Sequence, residues 1–331
     1  MKAMVLEEIQ SLENNPSPLK ERERPDPVPG RGELLLEVEV CGVCHTELDE
    51  IEGRTPPPVL PVVLGHEVVG RVAGVGPDVS DFDTGDRVGV AWIYDACGAC
   101  LHCRSGEENL CAEFRATGRD AVGGYAEVRT VPASSAYPLP EVFSEAEAAP
   151  LLCAGAIGYR SLRLSGLEDG RTLGLTGFGA SAHLVLMMVR QRYPDSRVHV
   201  FARSEKEQAF ARELGAVWAG PTEASSPEKL HCIIDTTPAW KPVVEALRNL
   251  GPGGRLVINA IRKEAGDKDQ LLRLDYPEHL WMEKEIKSVA NVARSDVSEF
   301  LALAAEIPIR PVVREFPLSE ANRALTELKN G

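Results

Sequence analysis

The residues best suited to chemistry are a thiol and an imidazole. Cys44 lies in Cys41-Gly42-Val43-Cys44-His45-Thr46-Glu47, and His66 follows in Gly65-His66-Glu67. A thiolate and a neutral imidazole are ligands that a borderline-soft, tetrahedral zinc ion prefers. A catalytic zinc takes three protein ligands and keeps the fourth position for water or substrate. Cys153, in Leu151-Leu152-Cys153-Ala154-Gly155, is the candidate for the third ligand. Alone it would read as a small buried hydrophobe. Cys41 and Cys232 flank apolar runs and read as packing residues.

A second cluster reads Cys97-x2-Cys100-x2-Cys103-x7-Cys111. Four closely spaced thiolates close a tetrahedral structural zinc site. An iron–sulfur cluster is the alternative, but ferredoxin-type spacing has its fourth cysteine after three residues and a proline next. Here the last gap is seven and Ala112 follows. His102 is surplus to a site already filled by sulfur.

A third motif is Gly177-Phe178-Gly179-Ala180-Ser181-Ala182, after the predicted strand 172–176 and before the predicted helix 183–192. In that context G-x-G-x-x-A binds a dinucleotide, with a tight turn, close backbone approach to the pyrophosphate, and tight helix–strand packing. The end of the next strand normally carries an acid for the adenosine ribose, ~20 residues or a little more past the glycines. Here it reads Phe201-Ala202-Arg203-Ser204. A missing acid beside an Arg and a Ser favours NADP(H) over NAD(H). The bland reading is a solvated Arg203 at a strand end. Asn259, just past the strand 255–258, is counted with the cofactor-binding residues.

These residues need two kinds of frame. Up to about residue 150 the chain is Gly- and Pro-punctuated, with predicted strands at 33–40, 62–64, 68–75 and 88–93, the pattern of a small barrel-like domain. Ser144-Glu145-Ala146-Glu147 is a capping-box start for a helix running towards Cys153 and on to Arg163. From there strands alternate with helices, which predicts a parallel α/β sheet. The 331 residues exceed what one core usually spans, so two domains are expected.

Apolar content of 44% and charged content of 26% fit a globular protein without membrane spans. A net charge of −14 with no basic stretch argues against nucleic acid as a partner. Met1 to Gln10 lacks the apolar region of a signal peptide, so a cytoplasmic location is expected. Eight cysteines then point to metal ligands rather than a disulfide frame.

Together these motifs resemble the zinc-dependent alcohol dehydrogenases of the medium-chain dehydrogenase/reductase superfamily. So do Gly85-Asp86-Arg87-Val88, Gly123-Gly124-Tyr125-Ala126-Glu127 and Val292-Ala293-Arg294-Ser295-Asp296. The resemblance covers nearly the whole chain. It implies an α/β protein: a GroES-like β-barrel catalytic domain (1–150 and 290–331, with the structural zinc lobe at 97–111) and a doubly wound Rossmann domain (151–289). The active site would lie in the cleft. It implies two zinc ions per chain, one of them on Cys44, His66 and Cys153 with Glu67 as an occasional ligand. Thr46 would take the alcohol proton, His45 would approach the cofactor, and Arg294 its pyrophosphate. Trp92 would wall a small substrate pocket, pointing to modest-sized primary alcohols and aldehydes. A homodimer or homotetramer is implied. Glu47 replaces the family's usual Asp behind the ligand histidine. Asp49 replaces a histidine that ends the proton relay in many relatives, leaving Asp49 or His45 for that part. Three other readings compete: a zinc-free quinone or enoyl reductase, a zinc-stapled redox sensor that turns over no carbonyl, and an electron carrier.

Overall fold

Short strands dominate the first half of the chain. In the computed structural model, which describes residues 1–307 and 309–330, they are β1 (Lys2–Leu6), β2 (Leu19–Glu23), β3 (Glu33–Cys41), β4 (Val62–Val63), β5 (Val68–Val75), β6 (Arg87–Val90), β7 (Ile93–Asp95), β8 (Arg115–Ala116), β9 (Val128–Pro132) and β10 (Ala136–Pro138). Five form an antiparallel sheet in the order β10-β6-β5-β3-β9, and β1 pairs between β2 and β4. The period-2 pattern explains the burial: Leu34 and Leu36 on β3 are sealed in one core with Val68, Val72, Val88, Val90 and Val131. A second core joins Ala3 to Leu6, Val62 to Leu64, and Leu48 and Ile51 of helix α1 (His45–Ile51). The predicted strand 88–93 is in fact two, β6 and β7, interrupted at Ala91 and Trp92. The pair β7–β8 flanks the cysteine-rich segment, which holds helix α2 (Leu101–Arg104).

One residue of the barrel core departs from the apolar pattern. Arg129 on β9 is fully buried. Its Nε donates to the Thr130 carbonyl at 3.3 Å, and neither terminal nitrogen has a partner among the described residues. Burial lowers its pKa to about 10.

The capping box at Ser144 forms as predicted and starts α3 (Glu145–Ala148). The predicted run to Arg163 does not. The chain tightens into a 3₁₀ turn at Ala149–Leu152, leaves helical geometry at Cys153 (φ −123°, ψ −78°), and restarts as α4 (Ala154–Ser165). Pro150 accounts for the break, because it lacks an N–H and its ring collides with the carbonyl four residues back.

Beyond α4 come β11 (Thr172–Thr176), α5 (Ala180–Arg192), β12 (Arg197–Phe201), α6 (Glu205–Glu213), β13 (Trp218–Gly220), β14 (Leu230–Asp235), α7 (Lys241–Asn249), β15 (Leu250–Ile258) and β16 (Glu285–Ser288). The six strands pair in parallel in the order β13-β12-β11-β14-β15-β16. The order reverses between β11 and β14, and ligands bind at such a switch point, outside the strands' carboxyl ends. The chain closes with α8 (Arg294–Glu306) and α9 (Ala321–Asn330). It divides into two compact units, Met1–Cys153 with the segment from Ala293 onward, and Ala154–Val292. Among the described residues no helix is long and apolar enough to cross a membrane.

Candidate metal centres and dinucleotide crevice

Cys44 is the residue from which α1 starts, and its N–H donates to Glu47 Oε2 at 2.9 Å. His66 and Glu67 enter β5, and Cys153 sits in the break before α4. One donor atom from each of Cys44, His66, Glu67 and Cys153 lies within 4.8 Å of the others. The two sulfurs are 3.9 Å apart. A tetrahedral ion with bonds of about 2.3 Å sets its sulfur ligands about 3.8 Å apart. Gly42 leaves room for the group: a Cβ there would stand 1.9 Å from Glu67 Oε2.

His66 shows which way the site faces. Its Nδ1 is 2.5 Å from Glu47 Oε1, both residues being buried. With the proton on Nδ1, that nitrogen donates to the carboxylate and leaves Nε2 with its lone pair. Nε2 is itself buried and has no hydrogen-bond partner among the described residues. A metal-ligating histidine is held in this way, with its second nitrogen on a carboxylate.

The charges strain against burial. The neighbouring Cys153 thiol, and then His66, hold the Cys44 thiol well below its ordinary range despite burial. Cys44, and then burial, push Cys153 well up. Burial opposes a charged His66, yet the Glu47 carboxylate and Cys44 carry its pKa well above the usual value. Burial, and then Cys44, push the Glu67 carboxyl up to about 8. Cys153, His66 and Glu67 thus favour their protonated forms, and a divalent cation would displace those protons. The donor set and its spacing fit zinc.

Around this cluster the predicted residues separate. Thr46 Oγ1 is 3.7 Å from Cys44 Sγ. His45 is exposed. Asp49 is buried and its carboxylate accepts from Arg54 Nε at 2.5 Å. Trp92 lies in the gap between β6 and β7, where its carbonyl accepts from Thr117 N at 2.8 Å. The Trp92 ring lies 5.1 Å from that of Phe114, and its Nε1 is buried without a partner among the described residues. Sequence reasoning missed Phe114, and it missed Glu50. Glu50 is buried, neither carboxyl oxygen has a partner among the described residues, and burial and then Glu47 push its pKa well up. Its place three residues after Glu47 on α1, hence on the same face, was the available signal.

Cys97, Cys100, Cys103 and Cys111 also gather their sulfurs within 4.8 Å. Cys97 and Cys103 are 3.8 Å apart, and Cys100 and Cys103 are 3.5 Å apart. Backbone N–H groups point at the sulfurs: Cys100 N to Cys97 at 3.3 Å, Cys103 N to Cys100 at 3.5 Å, and Glu113 N to Cys111 at 3.3 Å. The amides of Ala99 and Cys100 lower the Cys97 thiol to about 7. His102 turns away to Glu107.

In the second unit Gly177 has φ +74°, and a Cβ there would meet Thr237 Cγ2 at 2.9 Å and Thr236 Oγ1 at 3.0 Å. A Cβ on Gly179 would meet nothing within 4 Å. The helix begins at Ala180 rather than at the predicted His183, so Ala180, Ser181 and Ala182 form its first turn. Their N–H groups are the unpaired donors that bind phosphate. Phe178 is buried edge-on against Phe210, centroids 5.7 Å apart. The open face at Gly179 and the donors behind it fit a dinucleotide pyrophosphate.

Arg203 is exposed and no ion pair reaches it among the described residues. Ser204 caps α6: its Oγ accepts from Glu207 N at 3.2 Å, and its N and Oγ donate to Glu207 Oε2 at 3.1 and 2.8 Å. Asn259 turns its side chain to Ser161 Oγ, 2.8 Å away. Arg294, in the first unit, lies 3.7 Å from Asp95 and 3.8 Å from Glu108, on either side of the cysteine lobe's core.

Comparison with known proteins agrees with this geometry. The alcohol dehydrogenase GroES-like domain family matches residues 30–141. The Mycobacterium tuberculosis (strain CDC 1551 / Oshkosh) protein described as Probable alcohol dehydrogenase AdhA is 43% identical over 310 residues, 92% of this chain and 88% of the relative. Two solved structures align at 25% identity. One is an NAD-dependent alcohol dehydrogenase (TM-score 0.86, covering 99% of this chain and 96% of that one). The other, assigned as a zinc-binding dehydrogenase of Sinorhizobium meliloti 1021, is bound to NADP (TM-score 0.84, covering 98% and 95%). The chain combines an antiparallel GroES-like half-barrel with a six-stranded Rossmann sheet, and it belongs to the zinc-type alcohol dehydrogenases of the medium-chain dehydrogenase/reductase superfamily.

Proposed function

We propose that this chain interconverts small alcohols and their aldehydes or ketones at the Cys44–His66–Cys153 cluster. The observation that carries this reading is His66 Nε2, buried and unpartnered beside two thiols 3.9 Å apart. Cys44, His66 and Cys153 would hold one zinc ion, with Glu67 as an occasional ligand. Cys97, Cys100, Cys103 and Cys111 would hold a second. Zinc at the first site supplies Lewis acidity toward the substrate oxygen. The nicotinamide supplies or accepts the hydride.

The chain's own residues do the rest. Glu47 fixes the His66 ring and its tautomer. Thr46, two residues after Cys44 and with its Oγ1 3.7 Å from Cys44 Sγ, takes the proton of an alcohol hydroxyl and returns it in reduction. Asp49 is already paired with Arg54, which leaves the exposed His45 better placed to pass that proton outward. The aromatic pair Trp92 and Phe114 would wall a small substrate pocket, which suits modest-sized primary alcohols and aldehydes.

Residues 1–150 and 290–331 act as the catalytic domain and 151–289 bind the dinucleotide, through Gly177 to Ala182. The missing acid at 201–204 and the unpaired Arg203 favour NADP(H) over NAD(H). Glu207, beside Ser204, counts the other way, and of two solved structures at equal identity one is bound to NADP and the other is described as NAD-dependent. Asn259 and Arg294 are weaker candidates for cofactor contact, because Ser161, Asp95 and Glu108 already engage them. The outer edge of β16, exposed along its length, is where a second copy would pair into a homodimer or homotetramer.

The test is Cys153→Ser. Aldehyde-dependent NADPH oxidation falls below detection while NADPH binding, read by fluorescence titration, stays near the wild type. Undiminished turnover would overturn the ligand assignment.

A further inference from the structure

Lys263 has no part in the chemistry above, yet its side chain is only 8% exposed and that of its partner Asp235 is fully buried. The ammonium has three protons and the structure gives each an acceptor: the Asp235 carboxylate, the Thr237 carbonyl at 2.7 Å and the Ala239 carbonyl at 3.0 Å. Asp235 Oδ1 accepts from the hydroxyls of Thr176 at 2.5 Å and Thr237 at 2.8 Å. The pair therefore ties the loop after β15, which carries Lys263, to the loop after β14, which carries Thr237 and Ala239. Glu264 N donates to the Pro238 carbonyl at 2.8 Å, and Asp267 accepts from Trp240 N and Lys241 N at the start of α7, so the two loops are clasped along their length.

Stability alone does not account for the pair. A sealed ion pair loses the hydration of both charges, and replacing it with apolar groups often leaves a protein as stable or more so. Its location is more telling. Asp235 ends β14 level with Thr176, the last residue of β11 and the one before Gly177. This is the point where the strand order reverses. The loop it anchors supplies Thr236 and Thr237, the two residues against which Gly177 packs.

We propose that Lys263 and Asp235 are positioning residues for the dinucleotide, an inference that rests on the cofactor reading above. The pair holds Thr236 to Ala239 against the glycine turn, and Lys263 cancels a buried carboxylate that would otherwise stand uncompensated level with Thr176, just before that turn.

The experiment titrates NADPH and NADH, by fluorescence, into the wild type, Lys263→Met and the double variant Asp235→Asn/Lys263→Met, with a thermal melt of each. Lys263→Met leaves a lone carboxylate and weakens dinucleotide binding by roughly a hundredfold; the double variant loses only the anchor and weakens it by roughly tenfold. The loss appears in Kd and in the dinucleotide KM rather than in kcat, and the double variant melts within a few degrees of the wild type. A double variant that binds as tightly as the wild type overturns the proposal. So does one that melts far below it, since the pair would then serve the fold. A wild type that binds neither dinucleotide would bring down the cofactor reading itself, and the clamp with it.

Discussion

The cysteine lobe at 97–111 and the Cys44–His66–Cys153 cluster both gather sulfur, but their surroundings differ. The lobe draws four identical donors from one short segment, and backbone N–H groups stabilise its sulfurs. No donor is left over, so a metal there would be closed off from reactants. The other cluster draws on three distant parts of the chain and mixes sulfur, nitrogen and oxygen. Behind it stand buried carboxyls, Glu47 and Glu50, one bonded to His66 and one without a partner among the described residues. A site built for holding can be local and uniform. A site built for exchange needs the whole barrel to bring unlike donors together.

This contrast can be broken most strongly at the lobe. Cys103→Ser should lower the thermal midpoint by roughly 10 °C or more, because a structural metal contributes folding free energy directly. Turnover per folded molecule should stay near the wild type at a temperature where the variant is folded. A variant that keeps its midpoint but loses turnover would reverse the roles of the two clusters.

A smaller effect should follow Glu47→Gln, which keeps the size of the side chain and removes its charge. Zinc affinity at the Cys44 cluster should fall by about 10- to 100-fold. Competition with a chelator, monitored by zinc content, reads it; the lobe's zinc should be retained. Loss of both ions at the same chelator concentration would show that the clusters are not independent.

The smallest effect is a pH slope. In metal-free protein the Glu67 carboxyl titrates near 8 rather than in the usual carboxylate range, so the folded state holds a proton that the unfolded state has released. Such a group's contribution is present at low pH and is lost as pH rises from the ordinary carboxylate value through about 8. Denaturant unfolding of metal-free Glu67→Gln should therefore fall less steeply over that window than the metal-free wild type. Equal slopes would remove Glu67 from the strained set.

Local patterns carried most of what could be read ahead of the structure. The cysteine lobe and the turn at Gly177 need only residues close in sequence, so their spacing was sufficient. The broken helix at 145–165 shows the limit: the capping box at Ser144 is a local signal, whereas the apolar run that follows it masks the break around Pro150 and Cys153. Long-range ion pairs were illegible. Nothing in the sequence ties Arg294 to Asp95 and Glu108, or Lys263 to Asp235. Such contacts depend on where loops meet, and that is set by the packing of strands far apart in the chain.

Arg129 gives a measure of how the barrel can tolerate its own site. A fully buried guanidinium forfeits several kcal/mol of hydration, and no ion pair with a carboxylate offsets that loss among the described residues. A scaffold with such a margin can also carry Glu47, Glu50 and Glu67 close together before any cation arrives. The same margin leaves room for substitutions around the site that are unfavourable in themselves.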